Sequence, residues 1–187
     1  DRDQLSLARN QIDRCDILVN ASGSSVHIPH FRIDLLSDKI FDNILTDNLR
    51  SQFSVIRTFL PLIKQSPSGL IVNLGSTAGT GTGGSNIAYA AAKAGIDSLT
   101  RNLSMAILPA RIINVTFSGV ETNFNKNRPD NFYQLEQEQN PMGRCATVDD
   151  IARTIEAYAT VVRFTTGVNV VVDGGKSLTR GLPKAKP

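Results

Sequence analysis

The sequence has no long apolar run and few residues that form disulfides or bind metals. None of its hydrophobic stretches is long enough to cross a bilayer, and its start has no signal-peptide pattern. Cys15 and Cys145 are 130 residues apart and match no metal-binding spacing, so we expect free thiols in a reducing cytosol. His27 and His30 have no further His or Cys partner nearby. We therefore expect a soluble, cytoplasmic protein with no metal site and no membrane partner.

The positive charge is concentrated at the end of the chain. The formal net charge is +3, and segment 176–187 carries four cations and no acids: Lys176, Arg180, Lys184 and Lys186. Subtracting these four from +3 leaves about −1 for the body, which excludes the basic footprint of a nucleic-acid-binding protein. With 187 residues, 41% of them hydrophobic, the chain is long enough for one domain, 1–187, with a sizeable core.

Hydrophobic patterning predicts strands that alternate with helices. Short runs rich in Val, Ile and Leu predict four strands, at residues 16–20, 69–74, 111–117 and 168–172. Helical spacing predicts four helices: 3–13, Ser37 or Asp38 to Pro61, a helix containing Tyr89 that ends near Leu108, and one capped by Thr147 that ends near Thr160. This alternation indicates an α/β fold with a doubly wound, Rossmann-like parallel sheet. Residues 123–143 form a long polar segment, which is a lid, a binding segment or disordered.

Small and polar residues follow three of the predicted strands. They are Asn20 to Gly23 (Asn-Ala-Ser-Gly), Ser76, and Ser118 to Thr122. Because ligands bind at the carboxyl ends of parallel strands, we expect these residues to converge at one edge of the sheet. The small polar run after the first strand, taken alone, is better explained as an ordinary flexible turn.

Tyr89 and Lys93 lie one turn apart in an alanine-rich stretch, so both side chains project from one helix face. A tyrosine has a pKa of about 10, and a nearby cation favours the phenolate. The pair therefore suggests an acid/base that works near neutral pH. The alternative is a half-exposed tyrosine stacked on a lysine stem, because this spacing alone is common.

The ordered set of motifs resembles the short-chain dehydrogenase/reductase family over nearly the whole chain. The matching pieces are Asp16 to Gly23, Asp47-Asn48-Leu49, Ser76, Tyr89 with Lys93, Ser118 to Thr122, Pro141 to Arg144, Thr166-Gly167, and Val172 to Gly175. Within the family, the chain most resembles the group with 3-oxoacyl-carrier-protein reductases and bacterial sugar or alcohol dehydrogenases. The resemblance implies an NAD(P)-dependent oxidoreductase that exchanges a hydride with a carbonyl or secondary alcohol.

The resemblance also implies a role for each site residue. Tyr89 would be the acid/base, Lys93 would lower its pKa and bind the nicotinamide ribose, Ser76 would hold the substrate oxygen, and Asn48 would anchor a water of the proton relay. Asn20, Ala21, Ser22, Gly23, Gly119, Val120 and Thr122 would line the cofactor. The substrate would contact Asn86, Phe124, Phe132 and Tyr133. A homotetramer would form through helices 38–60 and 88–108.

Departures from the family pattern concern two strand ends and the start of the chain. Ala21 replaces an asparagine that ties neighbouring strands, and Ser118 replaces a proline. The family begins with a strand, a glycine-rich turn and a helix that binds the pyrophosphate, followed by a second strand whose end chooses between NAD and NADP, and these have no counterpart here. We therefore expect roughly 60 or more preceding residues in the parent protein, and this chain leaves the choice between NAD and NADP open. The competing hypothesis is a catalytically silent relative that acts as a binding or oligomerisation subunit.

Overall fold

The centre of the fold is a parallel sheet of four strands in the order β1-β2-β3-β4. A computed structural model of the protein describes residues 2–122, 124 and 129–179. The strands are β1 (Ile17–Asn20), β2 (Leu70–Leu74), β3 (Arg111–Phe117) and β4 (Val168–Val172). Parallel pairing of consecutive strands requires crossover connections, and helices supply them. The predicted Rossmann-like α/β fold is confirmed.

Six α-helices accompany the strands in the described part of the chain. They are α1 (Arg2–Asn10), α2 (Asp38–Leu45), α3 (Ser51–Gln65), α4 (Ile87–Ala106), α5 (Phe132–Glu138) and α6 (Val148–Thr160). A π-helical segment, Thr46–Arg50, joins α2 to α3 without a break. None of the described helices has both the length and the apolar character needed to cross a bilayer.

Alternate residues of the strands build a core on each face of the sheet. On one face, Ile71 and Ile112 pack with Ile56 of α3 and with residues of α4. On the other face, Val72 and Ile113 pack with α6. The period of two in the strands thus gives both faces an apolar surface, as a doubly wound sheet requires.

Side-chain caps fix where three of the helices begin. The hydroxyl of Ser37 accepts a hydrogen bond from the N–H of Ile40 at the start of α2. Thr147 and Asp150 form a reciprocal capping box at the start of α6, and Asn86 caps α4. Each cap satisfies backbone N–H groups that lack a partner inside the helix.

The structure differs from the sequence-based prediction at the end of one helix and in the content of one segment. Helix α3 continues past Pro61 to Gln65, because Leu62 and Ile63 beyond the proline are 5% and 0% exposed, and this burial outweighs the hydrogen bond that proline removes. The segment predicted to be irregular, 123–143, contains helix α5. Residues 123 and 125–128 of that segment, and residues 180–187 of the predicted tail, lie outside the described residues.

Candidate active site

The carboxyl ends of β1, β2 and β3 open into one cleft of about 1380 Å³. Ser76, Tyr89 and Lys93, which come from two separate elements, all line it. Residues after β1 and β3 line the same cleft: Ala21, Ser22, Gly23, Ser118, Gly119, Val120 and Thr122. The structure therefore brings together most of the residues that the sequence places after strands.

Tyr89 lies in the first turn of α4 and is 8% exposed. The side-chain oxygen of Asn86 accepts a hydrogen bond of 2.8 Å from the backbone N–H of Tyr89. The ring of Phe124 lies against the tyrosine, with 5.7 Å between ring centres and a tilt of 41°. The tyrosine is thus held at its backbone by a helix cap and flanked by an aromatic ring at the cleft.

Lys93 lies one turn further along the same face of α4 and is almost fully buried. Its Nζ donates a hydrogen bond of 2.7 Å to the carbonyl oxygen of Leu74 and lies 5.6 Å from the centre of the Tyr89 ring. Burial lowers the pKa of Lys93 from 10.5 to about 8. At neutral pH the side chain is still mostly protonated, so it places a cation beside the phenol.

Ser76 follows β2 by two residues and caps the short 3₁₀ turn Thr77–Gly79. Its hydroxyl oxygen accepts a hydrogen bond of 3.2 Å from the N–H of Ala78. A hydroxyl that accepts in this way keeps its own proton for donation. Ser76 therefore has a hydroxyl proton available for donation at the edge of the cleft.

Asn48 lies in the π-helical segment and is completely buried. Its amide nitrogen donates to the carbonyl oxygens of Ser24, at 2.7 Å, and Ile44, at 2.9 Å. Its Oδ1 has no partner among the described residues. A Cβ added to Gly23 would come within 2.6 Å of this oxygen, so Asn48 lies directly behind the cleft wall.

Asn20 is the one predicted cofactor residue that does not line the cleft. Its amide donates a hydrogen bond of 2.8 Å to Asn73 of β2, and Asn73 donates in turn to Thr100 of α4 at 3.0 Å. Asn20 therefore ties β1 to β2 and the sheet to α4. Ala21 replaces the asparagine that was expected to tie neighbouring strands together. In the structure the adjacent residue, Asn20, makes this connection.

The four predicted substrate residues separate into two pairs. Phe124 and Phe132 line the cleft. Asn86 is completely buried, and its amide nitrogen donates to the hydroxyl of Ser25 and the carbonyl oxygen of Val26. Tyr133 uses its hydroxyl to accept from the N–H of Thr122 and to donate to the carbonyl oxygen of Val120, both at 3.3 Å. The structure thus gives Asn86 and Tyr133 internal hydrogen bonds and does not bring them to the cleft.

An ion pair in the cleft, between Glu136 of α5 and Lys176, was not expected from the sequence. The side chains are 16% and 19% exposed, and the same carboxylate accepts a hydrogen bond of 3.1 Å from the N–H of Gly119. Lys176 follows the strand end Asp173-Gly174-Gly175, so the strand-end argument applied to Ser76 could have found it. Nothing in the sequence around Glu136 marks it.

No cluster of three or more His, Cys, Asp or Glu side chains suited to a metal ion occurs in residues 2–122, 124 and 129–179. Both cysteines are free thiols. The side chains that line the cleft include the Tyr89 phenol, the amines of Lys93 and Lys176, the Ser76 hydroxyl and the Glu136 carboxylate.

The protein-family model described as enoyl-(acyl carrier protein) reductase matches residues 3–177. A Streptomyces violaceoruber protein named "Granaticin polyketide synthase putative ketoacyl reductase 2" is 32% identical over 171 residues. The match covers 88% of this chain and 67% of that protein. The 3-oxoacyl-[acyl-carrier-protein] reductase FabG of Escherichia coli K12 is 29% identical over 177 residues, with coverages of 91% and 70%. An uncharacterised oxidoreductase of Schizosaccharomyces pombe is 34% identical, and the chain spans 63% of its length.

Solved structures show the same architecture. A short-chain dehydrogenase/reductase family oxidoreductase from Burkholderia thailandensis superposes with a TM-score of 0.84 at 25% identity, covering 94% of this chain and 70% of that one. Gluconate 5-dehydrogenase from Burkholderia cenocepacia, solved with NADP and tartrate, gives a TM-score of 0.85 at 22% identity, with coverages of 95% and 72%, and supports the fold alone. From the family match, the relatives and the strand-end site, the chain belongs to the short-chain dehydrogenase/reductase family, in its 3-oxoacyl-carrier-protein reductase-like group.

Proposed function

We propose that the protein is an NAD(P)-dependent oxidoreductase that interconverts a carbonyl and a secondary alcohol, with Tyr89 as the acid/base. The observation that carries this proposal is the convergence of Ser76, Tyr89 and Lys93 on one cleft at the carboxyl ends of the strands. When bound, NAD or NADP supplies the hydride, and the protein supplies geometry and proton handling. Relatives named as ketoacyl and 3-oxoacyl reductases agree with this class of reaction.

The residues present fit the nicotinamide half of such a cofactor. The cleft wall after β1 consists of Ala21, Ser22 and Gly23, whose small side chains let a ligand approach the backbone. Val120 and Thr122 after β3 also line the cleft, and Thr122 carries a side-chain hydroxyl there. We assign these residues and Lys93 to cofactor binding. Gluconate 5-dehydrogenase and the protein ElxO, both solved with NADP, have the same fold.

Proton transfer in the proposed reaction uses Tyr89 and Lys93 of α4 together with Ser76 after β2. Tyr89 donates its proton to the substrate oxygen as that oxygen gains negative charge, and Ser76 donates a hydrogen bond to the same oxygen. The ammonium of Lys93, 5.6 Å from the tyrosine ring, stabilises the phenolate that remains. In the direction of alcohol oxidation the same groups act in reverse.

The substrate is proposed to place an apolar group beside Tyr89. Phe124 and Phe132 flank the cleft, and the Phe124 ring lies against that of Tyr89. Helix α5, which carries Phe132 and Glu136, lies within the predicted substrate segment 123–143. An acyl or other hydrophobic chain next to the carbonyl fits these surroundings better than a highly hydroxylated one.

The full-length protein tests the activity directly. NADH or NADPH oxidation is followed at 340 nm with a panel of 3-oxoacyl thioesters, simple ketones and keto sugars. Turnover of at least one member of the panel supports the proposed reaction. Faster turnover of the 3-oxoacyl compounds than of the keto sugars supports the proposed apolar substrate. Binding of NADH or NADPH without turnover of any member would favour the silent relative.

A cytoplasmic homotetramer is proposed as the working state. Phe53 of α3 and Met105 of α4 are 39% and 74% exposed on the two helices predicted to form a subunit interface. Light scattering on the full-length protein measures the mass, and Phe53→Asp should lower the oligomeric state if this surface is the interface. Fractionation of cells that express the full-length protein tests the location.

A further inference from the structure

Three charged side chains line the cleft in the described part of the chain: Lys93, Glu136 and Lys176. Lys93 lies beside Tyr89 and donates a hydrogen bond to the carbonyl oxygen of Leu74. Glu136 of α5 and Lys176, which follows β4, form an ion pair with each other and are 16% and 19% exposed. Because their formal charges cancel, this pair gives the cleft a polar point without net charge.

The carboxylate of Glu136 is held in place by both of its oxygens. Oε1 pairs with the amine of Lys176, and Oε2 accepts a hydrogen bond of 3.1 Å from the N–H of Gly119. Gly119 packs so closely that an added Cβ would lie 2.7 Å from Oε2. The negative charge is therefore fixed against the backbone that follows β3, where that backbone lines the cleft.

The amine of Lys176 has donors that the described residues leave unused. An ammonium has three N–H donors, and Glu136 is the one partner of Lys176 Nζ in the described part of the chain. The remaining N–H groups can bind an acceptor in the cleft. A neutral carbonyl oxygen can accept from them, whereas a carboxylate at the same place would lie beside the carboxylate of Glu136 and be repelled.

The thiol of Cys145 shows the sign of the electrostatic field near this ion pair. Burial raises the pKa of Cys145, the carboxylate of Glu136 raises it further, and the amine of Lys176 lowers it to a smaller extent. Glu121 also raises it. Negative charge therefore dominates on this side of the pair, which disfavours a second anion there.

We propose that Glu136 and Lys176 are specificity-determining residues that select a neutral carbonyl compound, such as a 3-oxo ester or thioester, over the corresponding free acid. Lys176 donates a hydrogen bond to the second carbonyl oxygen of the substrate, and Glu136 repels a carboxylate at that place. This role rests on the proposed function, since it concerns the substrate of the same cleft. The pair sets the charge that the substrate may carry, whereas Phe124 and Phe132 favour its apolar chain.

A matched pair of ligands, 3-oxohexanoate and its methyl ester, tests the proposal without turnover. Each ligand is titrated into the full-length protein saturated with NAD⁺ or NADP⁺, because a ketone and an oxidised cofactor cannot exchange a hydride. NMR titration gives the two dissociation constants, and their ratio is the readout. A general displacement of α5 would weaken both ligands and leave the ratio unchanged, whereas a loss of charge selection changes the ratio.

In the wild type we expect the ester to bind at least about tenfold more tightly than the acid. Glu136→Gln should abolish or reverse this preference, because Lys176 then becomes a cation without a counter-ion. Lys176→Met should weaken the binding of both ligands, and that of the acid more. Glu138→Gln is the matched control: it removes the same charge from α5, but Glu138 is bonded to Gln134 on an exposed surface and should leave the ratio unchanged.

Three results would overturn the proposal: a wild type that binds the acid as tightly as the ester, a wild type that binds neither ligand, or a ratio that Glu136→Gln leaves unaffected. Failure of the proposed function would appear separately. In that case the full-length protein would bind the ester with the expected selectivity but would not reduce it with NADH or NADPH.

Discussion

The amine of Lys93 lies 5.6 Å from the centre of the Tyr89 ring, one turn further along the buried face of α4. This face continues with Asp97, Thr100 and Ser104, all of them buried polar residues. A cation at this position stabilises a phenolate, but its own desolvation opposes folding. Lys93 is therefore expected to favour catalysis by Tyr89 and, at the same time, to lower the free energy of unfolding.

Lys93→Met should produce a more stable but inactive protein. Burial lowers the pKa of Lys93 from 10.5 to about 8, so the folded state carries the full cost of the charge below pH 8. We expect the substitution to raise the free energy of unfolding at pH 7 by about 1 to 3 kcal/mol, after allowing for the hydrogen bond lost at Leu74.

The pH dependence of this effect has a defined sign. Between pH 8 and 10.5 the folded protein releases the Lys93 proton before the unfolded chain does, so the stability contributed by this residue rises with pH. The difference between Lys93→Met and the wild type should thus be largest below pH 8 and disappear towards pH 10.5. Urea denaturation at several pH values measures it. A destabilised Lys93→Met at pH 7 would mean that the lysine contributes more through its hydrogen bond than it costs.

Asn86→Ala should damage both the fold and the placement of Tyr89. Its amide caps the N–H of Tyr89 and also holds the loop at Ser25 and Val26. We expect a loss of about 1 to 2 kcal/mol in stability, and a several-fold lower kcat at temperatures where the variant is fully folded.

Asn102→Ala provides the control for Asn86, since Asn102 lies on an exposed face of the same helix and its amide bonds, among the described residues, to Ser98 alone. Its stability and kcat should stay close to those of the wild type. Equal losses in the two variants would indicate a general effect on α4, without a specific role for the cap.

The ion pair between Glu136 and Lys176 should show measurable coupling. Both side chains are less than one-fifth exposed, and the pair joins α5 to the segment after β4. In a double-mutant cycle with Glu136→Gln and Lys176→Met, we expect a coupling energy of about 1 kcal/mol in stability. The single variants should also raise KM for the carbonyl substrate, because α5 carries the substrate side of the cleft. Purely additive effects would show that the contact contributes nothing to the position of α5.

Local sequence signals predicted the elements whose boundaries depend on local chemistry. Strands 111–117 and 168–172 and the helix capped by Thr147 appear as expected, because apolar runs and a capping box act over a few residues. The end of α3 was misplaced since burial of Leu62 and Ile63 is a tertiary effect. No pattern in the sequence predicted the π-helical segment.

The same distinction applies to the site. Ser76, Tyr89 and Lys93 were predictable from motif spacing and strand ends, and the structure brings them to one cleft. The internal hydrogen bonds of Asn86 and Asn20 depend on residues about 60 and 53 positions away, which no local pattern reveals. Glu136 enters the cleft through the packing of α5, so its contact with Gly119 also required the structure.

The proposed role of Tyr89 is tested most directly by Tyr89→Phe in the full-length protein. The substitution removes one oxygen and keeps the ring that packs against Phe124. With the carbonyl substrate identified from the panel, we expect kcat for NADH or NADPH oxidation to fall by about 10²- to 10⁴-fold, with cofactor affinity and thermal stability close to those of the wild type. A folded Tyr89→Phe protein that retains wild-type turnover would contradict the assignment of Tyr89 as the acid/base.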